Sequence, residues 1–125
     1  MYADSSYYKS EYEGSIIPDT ELNHALKKAS MHIDTLTFNR IVGRGFEHLT
    51  PFQKDKVRMA TCMLAEFEYE NCDFIENILQ SYSINGVSAS FGQNWNVHIQ
   101  SGVAIKKDAY ALLQQTGLCY PGLGV

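Results

Sequence analysis

The four histidines are the residues whose type and spacing come nearest to a chemical site. They are His24, His32, His48 and His98. No two of them stand four residues apart, and none belongs to an HExxH arrangement, which would place two imidazoles on one helix face. His24 and His32 lie eight positions apart, too far to share a metal ion without a third ligand. This pattern is typical of imidazoles on a helix surface, so we predict no metal site.

Five of the fourteen acidic residues form a run in the middle of the chain. The run comprises Glu66, Glu68, Glu70, Asp73 and Glu76. Consecutive charges of one sign are typical of a solvated face. The sequence contains no P-loop, no GxGxxG and no GxSxG motif. We therefore predict no catalytic residues and no cofactor, and we expect that the chain is not an enzyme.

The cysteines, the N-terminus and the net charge together favour an intracellular protein that does not bind nucleic acid. The three cysteines, Cys62, Cys72 and Cys119, are odd in number and form no CxxC pair, which predicts reduced thiols in an intracellular protein. The N-terminus has neither a basic start nor an apolar run, and no stretch is long enough to cross a membrane. A net charge of -4 argues against a nucleic-acid-binding protein, whose mark is a clustered basic patch.

One stretch, Thr50 to about Leu79, has the pattern of a long helix against which other elements lean. Thr50 is suited to cap it, Pro51 to the first helical position, and Gln53 completes a capping box. Apolar residues then recur at steps of three and four for about 28 residues without glycine or proline. They are Val57, Ala60, Met63, Leu64, Phe67, Phe74 and Ile78.

Two further helices complete the predicted bundle. The first opens at Pro18-Asp19 and ends near Phe38 to Arg40, and its apolar face is Leu22, Ala25, Leu26, Ala29, Ile33 and Leu36. The last runs from about Ala104 to Thr116, where Gly117 suits the left-handed position beyond a helix end. At 125 residues we expect one domain that is mainly α: a small bundle (residues 18–117) of two long helices plus a C-terminal helix, with one β-hairpin.

The β-hairpin is predicted at residues 81–91. Asn85-Gly86 between alternating residues is a strong hairpin signal, because a type I′ turn needs positive φ at both positions. One face of this hairpin would carry Tyr82, Ile84, Val87 and Ala89. Two strands alone are marginally stable in water, so we predict that this face is covered at a subunit interface.

Each end of the chain is predicted to dock. Residues 1–17 hold four tyrosines, Tyr2, Tyr7, Tyr8 and Tyr12, which suggests an arm that packs on its own bundle or on a neighbouring subunit. Residues 118–125 are apolar and contain proline and glycine, so we predict a docking tail. Its partner-binding residues would be Leu118, Tyr120, Leu123 and Val125.

The charges of the central helix oppose its dipole. Lys54 and Arg58 stand near its N-terminal end, whereas Glu66 and Glu70 stand towards its C-terminal end. Each pair is also a like-charge pair at i and i+4. A head-to-tail ring would give this arrangement a use, since the basic end of one copy could face the acidic end of the next.

Taken together, the sequence resembles the head–tail connector (adaptor, or head-completion) proteins of long-tailed phages and Gram-positive prophages. The resemblance runs nearly from end to end. It rests on Tyr7-Tyr8-Lys9 with Tyr12 and Gly14, Ile17-Pro18, Ala29-Ser30, Ile33-Asp34, Thr37-Phe38-Asn39-Arg40, Leu49-Thr50, Ser81-Tyr82-Ser83-Ile84 with Gly86, Tyr110, and Thr116-Gly117-Leu118 with Gly122. Asn39 departs from the glycine that the family tends to carry, so the resemblance does not place the end of the first helix.

The resemblance implies a structural virion protein. Twelve copies would form a ring beneath the portal, join it to a stopper or tail-completion protein in the virion neck, and extend the channel through which DNA passes without sequence-specific binding. Assembly would take place in the host cytoplasm, and the C-terminal tail would bind the portal. The alternative interpretation is a small helical regulatory or nucleic-acid-binding protein, against which the lack of a basic face in the sequence argues.

Overall fold

The computed structural model describes residues 1–85 and 96–119. Its helices are α1 (Ser5–Ser10), α2 (Asp19–Leu36), α3 (Arg40–Arg44), α4 (Pro51–Glu70), α5 (Cys72–Asn85) and α6 (Lys107–Gln115), and Phe46–His48 forms a 3₁₀ turn. Strands β1 (Val97–Gln100) and β2 (Val103–Lys106) pair antiparallel. In the described part of the chain, the fold is therefore mainly helical with a two-stranded hairpin, which confirms the predicted fold class.

The core forms where α2, α4 and α6 pack together. The predicted apolar face of α2 is buried, apart from Ala25, which is partly exposed. The matching face of α4 is buried along Val57, Ala60, Leu64 and Phe67. Removing these faces from water is the main favourable term that holds the helices together.

The N-terminal end of α4 forms as the sequence predicts. The Gln53 amide N–H donates to Thr50 Oγ1 at 3.1 Å, and the Thr50 amide N–H donates to Gln53 Oε1 at 3.0 Å. These two bonds are a complete capping box, with Pro51 at the first helical position. The side chain of Gln53 also donates to the carbonyl oxygen of Thr116 at 3.0 Å, which ties the start of α4 to the end of α6.

The long helix predicted to reach Leu79 is instead broken at Asn71. Asn71 has φ of -126° and ψ of 28°, and its side chain donates to the Phe67 carbonyl oxygen at 3.0 Å. A short amide side chain that bonds to its own helix competes with the backbone ladder. The carbonyl oxygen of Asn71 then accepts from the Ile75 amide at 2.8 Å, within the first turn of α5.

The hairpin exists, but not where it was predicted. The predicted first strand, Ser81 to Ile84, and the first predicted turn residue, Asn85, form the last part of α5. Residues 86–91 lie outside the described residues. The hairpin is β1–β2, whose turn residues Ser101 and Gly102 have φ of 52° and 79°, as a type I′ turn requires. Asn-Gly is also a common sequence just past a helix end, where its preference for positive φ is equally useful.

The hairpin also shortens the last helix. Ala104 and Ile105, predicted as helical, belong to β2, and α6 begins at Lys107. Gly117 has φ of 76° and follows the helix end as predicted. At the end of α2, Phe38 and Asn39 both have φ near 57–58°, and Asn39 tolerates this left-handed conformation almost as glycine does.

The N-terminal arm packs on its own bundle, which was one of the two predicted possibilities. Tyr8 is 1% exposed, and its hydroxyl accepts from the amide N–H groups of Ile16 and Ile17, each at 3.1 Å. Tyr2 stacks on Phe46 with ring centroids 5.2 Å apart. The arm contains the short helix α1, for which the sequence showed no period.

A substitution at Gly14 tests how closely the residues of this arm pack against Tyr8. A Cβ added at Gly14 would lie 2.3 Å from Cζ of Tyr8, whereas one at Gly43 would meet nothing within 4 Å. We expect Gly14→Ala to lower the unfolding free energy by about 1–3 kcal/mol through overpacking. The matched control Gly43→Ala should be neutral or stabilising by up to about 1 kcal/mol, because alanine favours the helix. Urea unfolding of both variants measures this, and equal stabilities would contradict the described arm position.

Candidate functional site

Two of the four residues predicted for the hairpin face lie in a helix and not in a strand. Tyr82 and Ile84 belong to α5, while Val87 and Ala89 lie outside the described residues. Their predicted interface role depended on alternation along a strand, and a helix does not place them in that way. The structure therefore gives no support to an interface built on a β face at Tyr82 and Ile84.

The basic residues of α4 contact an aromatic ring of the same chain. The Arg58 guanidinium carbon lies 5.3 Å and Lys54 Nζ lies 6.0 Å from the centroid of Phe46, the ring that stacks on Tyr2. Lys54 Nζ also lies 3.8 Å from Glu47 Oε2. These cation–ring contacts help hold the arm in place, so the two cations have an intramolecular role that the charge pattern alone did not indicate.

Glu66 is likewise used within the chain. Its carboxylate accepts from the hydroxyls of Tyr8 at 2.7 Å and Tyr12 at 2.9 Å. Burial, followed by the bond to Glu66, raises the pKa of both tyrosines. Glu66 therefore anchors the N-terminal arm, an intramolecular role that the predicted subunit contact did not include. Glu70, in contrast, is exposed and keeps that prediction.

The beginning of the predicted docking tail belongs to the core. Leu118 is 2% exposed, and its carbonyl oxygen accepts from Arg40 Nη1 at 3.0 Å. A side chain buried in its own bundle has little surface left for a partner, so the structure gives Leu118 a place in the core in addition to the role predicted for it. Tyr120, Leu123 and Val125 lie outside the described residues, and their partner-binding role stays a prediction.

The structure brings together the start of α4 and the point where the chain leaves α6. Arg40 and Gln53 donate to the carbonyl oxygens of Leu118 and Thr116, so both lie against the same short stretch of backbone. We call this end of the bundle the exit end. It is about 30 Å from the other end of α4, at 1.5 Å of rise for each of its 20 residues.

The exit end carries large apolar side chains that the sequence did not single out. Phe38, Val42 and Phe52 are 43%, 62% and 54% exposed. Arg40 lies over the ring of Phe38, and Lys56 over that of Phe52, at 5.3 and 5.4 Å from the centroids. Phe52 could have been predicted from the sequence to be exposed, because it falls outside the buried apolar stripe of α4. Phe38 and Val42 gave no such signal.

The opposite end is acidic on its surface. Glu21, Glu70 and Asp73 are exposed there, beside Tyr69, which is 37% exposed. Interaction with the Glu21 carboxylate raises the pKa of Tyr69, so the start of α2 lies near the end of α4. We call the set Glu21, Tyr69, Glu70 and Asp73 the acidic end.

One histidine is placed differently from the prediction. His32 is half-buried, and its Nδ1 contacts Oε2 of Glu68, whose side chain is only 11% exposed. Both line a cavity of about 230 Å³ with Lys28, Cys72 and Ile75. Glu68 Oε1 is buried without a hydrogen-bond partner. Across residues 1–85 and 96–119, no group of three His, Cys, Asp or Glu side chains is arranged to hold a metal ion.

The three cysteines are free thiols in different surroundings. Cys62 and Cys119 are buried, and burial raises their thiol pKa values to about 12 and about 11. Cys72 is exposed. Because the thiolate is the reactive form, the two buried cysteines should be inert at neutral pH.

Thiol titration of the native protein tests these surroundings. At pH 8, dithiobis(nitrobenzoate) should react rapidly with one thiol per chain, and with three in denaturant. Cys72→Ser should abolish the rapid phase. Three equal rates in the native protein would contradict the described burial.

No described helix is long and apolar enough to cross a membrane. Comparison with known proteins gives no relative: no family model, no curated protein and no solved structure matches this chain.

Proposed function

We propose that this chain is a structural virion protein, a head–tail connector of long-tailed phages and Gram-positive prophages. Twelve copies form a ring beneath the portal, join the capsid vertex to the stopper or tail-completion protein, and extend the DNA channel. The ring is assembled in the host cytoplasm and resides in the virion neck. DNA passes through it without sequence-specific contacts.

The structural observation that supports this proposal is the chemical difference between the two ends of the bundle. The exit end is apolar and basic, and the acidic end is some 30 Å away along α4. An interface between two unlike surfaces is heterologous, and repeated heterologous contacts close into a ring when the rotation allows it. The end-to-end sequence resemblance to head–tail connector proteins supports a position of that ring beneath the portal.

The C-terminal tail supports a role for the exit end in binding the portal. The last described residue is Cys119, immediately after the stretch bonded by Arg40 and Gln53. The described chain therefore ends at the exit end, and Tyr120, Leu123 and Val125, which follow Cys119 in the sequence, are the residues we assign to the portal contact.

Mass measurement of the purified chain, alone and with the portal protein, tests the proposal. We expect a complex whose mass equals one portal ring plus a whole ring of this 14.1 kDa chain. In particles that lack the chain, DNA-filled heads and separate tails should accumulate. A chain that never binds the portal, together with normal particles in its absence, would refute the proposal.

One observation favours the alternative of a nucleic-acid-binding protein. Residues 40–58 contain five of the ten Lys and Arg residues but only two of the fourteen acids, and two exposed aromatic rings lie among or beside them. Aromatic rings flanked by cations are a common nucleic-acid surface. A mobility shift of DNA at physiological salt, with no binding to the portal, would favour this alternative.

A further inference from the structure

The exposed side chains of the exit end form an apolar surface with basic residues beside it. Phe38, Val42 and Phe52 supply apolar area, and Arg44 and Lys56 stand next to it along the chain. Three large apolar side chains at one end of a small bundle are more than the scattered exposure that needs no explanation.

The cations at this surface differ in the partners that they contact within the chain. Arg40 is bonded to the Leu118 carbonyl oxygen, whereas Lys54 and Arg58 lie over Phe46. Arg44 is exposed, and Lys56 lies over the exposed ring of Phe52. Arg44 and Lys56 are therefore the cations best placed to meet a partner at this surface.

The acidic end has the complementary composition. It carries the exposed carboxylates of Glu70 and Asp73 beside the partly exposed ring of Tyr69. Of the other acids of the run, Glu66 is held by the arm and Glu68 by His32, whereas Glu76 is exposed on α5. Opposite charge next to apolar surface on both sides is the arrangement that specifies register and partner at an interface.

We propose that the exit surface, formed by Phe38, Val42, Arg44, Phe52 and Lys56, docks on the acidic end of a second copy of this chain. This proposal rests on the proposed ring and names its subunit contact. It replaces the pairing of Lys54 and Arg58 with Glu66, because those three side chains serve the arm. Since the two surfaces are different and lie apart, each copy can contact one neighbour at each end.

Two variants that each block one surface test this contact. Variant one carries Val42→Ser and Phe52→Ser, and variant two carries Glu70→Lys and Asp73→Lys. All four residues are exposed, so each variant should melt like the parent. In sedimentation velocity at rising concentration and low salt, the parent should form oligomers, and each variant alone should stay monomeric.

Mixing the variants gives the sharpest result. Variant one keeps an intact acidic end and variant two an intact exit surface, so an equimolar mixture should form a 1:1 dimer and nothing larger. Met31→Ser is the matched control, because Met31 is 62% exposed, as Val42 is, but lies on α2. It should associate like the parent. Raised salt should weaken association, since screening acts over about 8–10 Å.

The outcomes separate this contact from the ring itself. If the parent forms oligomers and both variants do so equally well, the assigned surface is wrong while the ring stands. If the parent stays monomeric at every concentration, or if Met31→Ser loses association as the variants do, the contact is overturned, and the portal experiment still decides the proposed function. A dimer in the mixture, with monomeric variants, supports the contact.

Discussion

Replacing Tyr8 with alanine should lower the unfolding free energy by about 3–5 kcal/mol, the largest effect we expect from one substitution. The Tyr8 ring is fully buried, and it carries the contact between the N-terminal arm and the bundle. For a domain of this size, the loss corresponds to a melting temperature lower by about 10–20 °C. Thermal unfolding followed by circular dichroism measures it.

Two further variants divide this effect between packing and hydrogen bonding. Tyr8→Phe keeps the ring but removes the hydroxyl that accepts from the buried Ile17 amide and donates to Glu66, so it should cost about 1–3 kcal/mol. Tyr69→Ala, at a partly exposed tyrosine, should cost less than about 1 kcal/mol. A loss below 1 kcal/mol for Tyr8→Ala would mean that the arm does not belong to this core.

Leu118→Ala should have the second largest effect, a loss of about 2–5 kcal/mol. Leu118 is buried against the bundle, and truncating it leaves a cavity that the surrounding helices can close only in part. The same substitution at a residue that only contacted a partner would leave the melting temperature of the free chain unchanged. Urea unfolding therefore tells the two roles of Leu118 apart.

The matched deletion locates the boundary of the tail. Removing Tyr120–Val125 should leave the melting temperature of the free chain nearly unchanged and abolish binding to the portal. A deletion that starts at Leu118 should destabilise the chain, because it also removes a core side chain. If both deletions melt alike, the boundary between core and tail is not at Cys119.

Local sequence signals were sufficient where neighbouring residues decide the structure. The capping box at Thr50 and Gln53 and the left-handed Gly117 were predicted and found, because each depends on bonds within a few residues. The buried face of α2 followed from its apolar spacing, since a helix with one apolar stripe has one way to cover it.

Some sequence signals fit two structures, and the surrounding structure decides between them. Asn85-Gly86 suits a hairpin turn or a helix end, and α5 continues to Asn85 because helix propagation from Cys72 needs only one more bond per residue. The true hairpin turn, Ser101-Gly102, carries a weaker signal. Its strands form at this position because Val103 and Ile105 of β2 pack into the hydrophobic core.

The candidate site also combines features that the sequence determined with features that only the tertiary structure decided. The sequence determined that charge is polarised along α4, that the first 17 residues are rich in tyrosine, and that the last eight are largely apolar. Only the tertiary structure decided that Glu66 holds the arm, that Leu118 lies in the core, and that Val42 is exposed at the exit end. The physical reason is that these roles depend on contacts between residues tens of positions apart, such as Tyr8 with Glu66, and local periodicity does not encode them.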